Sequence, residues 1–257
     1  MSIAFWTIVR FTLVDMLRSR SLWLCLGGAL AVSSVATFAG ALALTEHQEI
    51  AINTLAPLTR LCCIAMVAML STTSLVRDLQ ERTCLLMLAA PMSRCSWLLG
   101  KWAGLALAAA VSAVLFAIPI LVLQTNLGGL IWTMSLVLEA VLVTALVVAA
   151  ALSFKQVPAT LFATASFYLA ARVIGLAKLL NDRAPLELTG VQTMGNTIID
   201  GLALLLPRLD LVTSTTWLAS SAPMFSDLVL VAGQVALYCS LALSAASIDF
   251  TRKDLTS

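Results

Sequence analysis

The stretch RDLQERTCLLMLAAPMSRCSWLLGK, running from Arg77 to Lys101, separates two long apolar blocks. It gathers Arg77, Asp78, Glu81, Arg82, Arg94 and Lys101 into one short connection. Charges are costly inside a bilayer, so this segment is expected in water or at the membrane edge. Its basic excess assigns it to the cytoplasmic side. An amphipathic element there, between two membrane helices, is where a soluble partner can push on a membrane domain.

The surrounding composition leads to the same class. Of 257 residues, 61% are hydrophobic and 11% charged, against about 25% charged in soluble domains. Mean hydropathy is +1.01. A soluble fold with this composition would expose large apolar patches. The expected fold is an all-α integral membrane protein. A span takes about 20 apolar residues, which leaves room for six spans and short loops. They are expected at about 22–44, 57–76, 102–123, 130–154, 158–178 and 228–246.

Between these blocks the sequence is more varied. Over residues 1–20, Phe5, Ile8, Val9, Thr12, Leu13, Met16 and Leu17 recur at helical spacing. That pattern fits an amphipathic helix in the cytoplasmic interface. Arg10, Asp15, Arg18 and Arg20 interrupt it, so no cleavable signal peptide is expected. TEHQEIAINT, residues 45–54, reads as a polar loop, and Lys155–Gln156 as a tight turn. Residues 179–225 form the longest stretch without a clear span, expected as an outer-face loop or re-entrant helices.

Ten of the fifteen basic residues fall in the N-terminal segment, residues 77–101, the turn at Lys155 and the tail. Arg60, Lys178, Arg183 and Arg208 fall on the other side. Both termini are therefore expected in the cytoplasm. The tryptophans lie mostly near span ends, as interfacial anchors do.

Several chemistries lack their residues. No G-x-x-x-x-G-K-[ST] loop occurs, so any ATP site belongs to another chain. The six cysteines show no C-x-x-C spacing, and no metal or redox centre is expected. His47, the single histidine, stands beside Glu46 and Glu49 in a polar stretch and reads as solvated. It leaves no Ser–His–Asp or Cys–His arrangement, so no enzyme is expected. The basic residues follow the membrane face without an aromatic patch, which excludes nucleic acid as a partner. Two charges fall deep within spans, away from their ends. Glu139 lies about nine residues into the fourth span and Arg172 about fifteen into the antiparallel fifth. At about 1.5 Å per residue they reach similar depth. They are expected to pair with each other, the alternative being that Glu139 lines a substrate path.

The pattern Glu81, Thr83, Leu85–Leu86, Pro91, Ser93–Arg94, then Leu98–Leu99–Gly100–Lys101 and Gly104 resembles the permease subunits of type-2 ABC exporters. Pro207–Arg208–Leu209–Asp210 resembles a P-x-L-D element that related permeases carry between their last two spans. The resemblance covers the whole chain, 1–257, as one permease domain, with Cys84 as a departure where the family often has a small or acidic residue. It implies an inner-membrane homodimer that forms the translocation path. It implies docking on a separate ABC ATPase that binds ATP and Mg, with no cofactor in this chain. Arg77, Asp78, Glu81, Arg82, Thr83, Pro91 and Arg94 become the candidate ATPase-coupling residues. Pro207 and Asp210 become an outer-face element, where an accessory subunit has room to bind. Two other classes stand beside this one. A secondary transporter driven by an ion gradient would use midplane carboxylates and repeated broken helices. A non-transporting membrane scaffold would tolerate loss of ATP hydrolysis.

Overall fold

Long runs of Leu, Ala, Val and Ile can pair their backbone groups in lipid only within helices or closed barrels. The computed structural model describes residues 2–18, 21–42, 47–80, 93–182, 201, 206–207, 209, 212–213, 216–219 and 225–252. Every described element is helical. They are α1 Ser2–Arg18, α2 Ser21–Leu42, α3 His47–Gln80, α4 Arg94–Leu123, α5 Leu127–Phe154, α6 Val157–Asp182, α7 Thr216–Ala219 and α8 Phe225–Arg252. Six of them, α2 to α6 and α8, are long and apolar enough to cross a membrane. Phe162 is 79% exposed and Trp23 77%. Such outward-facing apolar surface suits hydrocarbon rather than water.

α5 is the central helix and packs against α3, α4, α6, α7 and α8. A helix enclosed on all sides must be apolar all round. Trp132, Leu136, Ala140, Val143, Val147 and Ala151 are all buried. α2 packs on α3 and α4, and α1 packs on α4. Trp97 of α4 stacks on Phe250 of α8 with ring centroids 5.6 Å apart.

Two helix starts differ from the sequence expectation. The polar residues from His47 onward are not a loop but the first turns of α3, which continues through Pro57 to Gln80. Ile52, Leu55 and Ala56 are buried, at the three- and four-residue spacing of one helix face. Polarity hid this periodicity, although Gln and Glu are good helix formers. The third span likewise starts early, at Arg94. Ser93 caps α4, its hydroxyl accepting from Ser96 N at 3.2 Å. Lys101 is therefore a helical residue within the bundle.

α1 also turns its apolar face inward. Ile8, Val9, Thr12 and Met16 are buried, while Trp6, Phe11 and Val14 on the other side are exposed. The partner face on α4 is Gly100 and Gly104. A Cβ at Gly104 would lie 2.6 Å from Thr12 Cβ and 3.1 Å from Val9 O. Only glycine permits that approach.

The turn between α5 and α6 is tight, as expected. Lys155 adopts a left-handed conformation at φ 54° and its N–H donates to Ala151 O.

Candidate functional site

Among the described residues, two polar clusters interrupt the apolar bundle. The first is built around Glu139. This residue lies twelve positions into α5, about 18 Å along the helix. Its side chain is fully buried, and such a group requires partners. Tyr168 of α6 donates its hydroxyl to Glu139 Oε1 at 2.7 Å. Thr213 Oγ1 lies 2.8 Å from Glu139 Oε2 and 2.7 Å from Val212 O. A hydroxyl has one proton to give, and the carboxylate is the stronger acceptor. Arg172 Nη1 stands 3.7 Å from Glu139 Oε1. The two charged residues singled out from sequence thus come together, but loosely.

Arg172 has closer partners. Its Nη1 donates to Val212 O at 3.0 Å and to Leu209 O. Arg60 of α3 donates from Nη1 to Thr213 O and reaches Thr213 Oγ1, both at 3.4 Å. Ser135 of α5 accepts from Thr213 N at 2.8 Å. Three helices therefore converge on the described residues between Leu206 and Thr213. Leu206, Pro207, Leu209, Val212 and Thr213 are buried, with Leu209 N–H donating to Pro207 O and Val212 N–H to Leu209 O. Thr213 has φ 52°. A β-branched residue in the left-handed region is strained, and such strain persists only where the surroundings over-determine it. Here the determinants are Ser135, Glu139 and Arg60. Farther along, α7 seats its Trp217 carbonyl where a Cβ at Gly128 would stand, 2.4 Å away.

Tyr168 also links this cluster to an apolar cleft of about 140 Å³ between α3, α5 and α6, lined by Leu61, Ile64, Ala68, Val143 and Thr164. Thr164 Oγ1 is buried there without a hydrogen-bond partner among the described residues.

The second cluster lies where α3 ends. Arg77 Nη2 meets Asp15 Oδ2 of α1 at 3.1 Å, both side chains well exposed. Asp78 Oδ2 meets Lys101 Nζ of α4 at 2.5 Å, largely out of solvent. Gln80 Nε2 donates to Lys155 O at 3.4 Å. Of the coupling residues named from sequence, Arg77 and Asp78 are thus engaged within the chain, and Arg94 opens α4. Glu81, Arg82, Thr83 and Pro91 lie outside the described residues, as do Asp210 and the remainder of 179–225 beyond the positions given above. His47 is in the first turn of α3. Among the described residues, no group of three or more His, Cys, Asp or Glu residues comes together to hold a metal.

Sequence reading found Glu139 and Arg172 because a charge within an apolar run stands out. It missed Tyr168, Ser135 and Thr213, whose hydroxyls leave no mark on a hydropathy pattern. Arg60 was visible only as a basic residue to be counted.

No protein-family model matches the chain, and no curated protein matches it.

Proposed function

We propose that the chain is the membrane-spanning permease subunit of an ATP-driven ABC exporter. The reading rests on the order of elements. Six helices are long and apolar enough to cross a membrane, and the charged segment 77–101 begins at the end of the second and runs into the third. A soluble motor acting on that segment would push on two helices that are tied to the bundle. Two copies of the chain would form the translocation path in the inner membrane, with both termini in the cytoplasm. A separate ATPase would bind ATP and Mg, contact residues around Glu81 and Arg82, and rock the spans as rigid bodies. The scarcity of ionisable side chains within the spans and the apolar cleft beside Tyr168 favour an apolar or amphipathic cargo. The described residues within 206–213, Pro207 among them, would seal the outer side.

One observation favours a second reading, an ion-coupled transporter: Glu139 is a fully buried carboxylate within a span. Against it, both carboxylate oxygens already have hydroxyl partners at hydrogen-bond distance. Purification of the tagged chain in mild detergent, with mass spectrometry of what accompanies it, separates the two. The exporter reading expects a nucleotide-binding chain in near-equal amount. Recovery of the chain alone, with uptake or efflux following an imposed ion gradient, would replace that reading with the second.

A further inference from the structure

The side chain of Lys101 is 5% exposed and that of Asp78 19%. Lysine is almost never buried to this degree unpaired. Apolar residues of the same volume often hold a fold at least as well as a buried ion pair. The placement of this pair points to geometry rather than stability as its use. Asp78 is two residues before the end of α3, and Lys101 seven residues after the start of α4. The pair therefore bridges the two stems from which residues 81–92 emerge. Its neighbours extend the tie. Arg77 reaches α1 through Asp15, α1 is seated on α4 at Gly104, and Gln80 holds the α5–α6 turn through Lys155 O.

We propose that Asp78–Lys101 is a staple across the stems of residues 81–92, and that Lys101 is a positioning residue. The staple holds both stems as one body, so that a push on the segment moves α3 and α4 together. What does the pushing, a cytoplasmic ATPase, rests on the permease reading above; the staple does not.

The test uses the full-length chain in lipid nanodiscs, as wild type, Asp78→Asn, Lys101→Met, Lys101→Arg and the exchanged pair Asp78→Lys/Lys101→Asp. Hydrogen exchange is followed at amides 75–80 and 96–100, with α2 and α8 as folding controls. Breaking the pair leaves an uncompensated charge, so exchange at both stems rises about tenfold or more in Asp78→Asn and Lys101→Met. It stays near wild type in Lys101→Arg and recovers in the exchanged pair. ATPase retained on the purified chain, measured in parallel from mild detergent, follows the same order. Unchanged stem exchange in Asp78→Asn and Lys101→Met overturns the staple. Faster exchange with undiminished ATPase retention overturns the positioning role. Absence of any ATPase on the wild-type chain overturns the permease reading instead, and the exchange data then decide the staple alone.

Discussion

Replacing Glu139 by leucine removes the acceptor at the centre of the buried cluster while keeping a similar side-chain size. Two hydroxyls lose their partner, Tyr168 at 2.7 Å and Thr213 at 2.8 Å. A buried polar group left unsatisfied costs about 1–3 kcal/mol. Thr213 has a second acceptor in Val212 O at 2.7 Å, so the full penalty falls on Tyr168. Arg172 keeps its two carbonyl partners and loses only an ion pair at 3.7 Å; polar pairs inside membrane proteins average about 0.6 kcal/mol. The loss for Glu139→Leu sums to about 2–4 kcal/mol. Glu139→Gln retains a carbonyl oxygen for one hydroxyl and should cost about 1 kcal/mol. Arg172→Gln strips a donor from Leu209 O and Val212 O, so the double variant Glu139→Gln/Arg172→Gln should regain no more than about 1 kcal/mol of the summed losses. Unfolding in one fixed detergent, run as a double-mutant cycle, measures these differences. Glu139→Leu within about 0.5 kcal/mol of wild type would refute the reasoning. So would full recovery in the double variant, which would mean that the ion pair, rather than the hydroxyls, holds the site.

Three further outcomes follow from the packing. Thr213→Val keeps the strained φ of 52° and loses the hydroxyl, whereas Thr213→Gly loses the hydroxyl but relieves the strain. Glycine should be the milder change by about 1 kcal/mol or more, and equal or reversed melting temperatures would contradict the strain argument. Gly104→Val drives a side chain into Thr12 and the Val9 carbonyl and should cost about 1–3 kcal/mol, with partial recovery in Thr12→Gly, read by the same unfolding assay. Maleimide mass labelling of the native chain should modify exposed Cys95 and leave buried Cys25, Cys63 and Cys239 unreacted until unfolding; early labelling of Cys63 would contradict the packing of α3 against the bundle.

The helices were legible in the sequence because hydrocarbon imposes length and apolarity directly. Those for which only a run of Leu, Ala and Val decides the bounds, α2 and α5, lie within a few residues of expectation. The start of α3 was not legible, since buried Ile52, Leu55 and Ala56 stand among polar residues that read as loop. The face of α1 was legible as a stripe, but not what covers it. The pattern Ile8, Val9, Thr12, Met16 fits lipid or a neighbouring helix equally, and the choice depends on Gly100 and Gly104 some ninety residues away. The site divides along the same line. Glu139 and Arg172 announce themselves by charge. Thr213 enters the cluster from a stretch with no periodicity, held by tertiary contacts with Ser135 and Arg60 that no local pattern encodes. Asp78 and Lys101 were both visible in the charged segment, but their partnership depends on α4 starting at Arg94, about two turns before the expected span.

The measurement that bears most directly on the permease reading is photo-crosslinking in intact cells from a benzophenone side chain placed at Arg82, with the same group at Phe162, an exposed position on α6, as control. A permease subunit gives a specific adduct to an ATPase from position 82 and none from 162, with the adduct lost when Glu81 is also reversed to Arg. An adduct only to a protein without a nucleotide-binding site, or no adduct from position 82 while the protein is folded in the membrane, would contradict it.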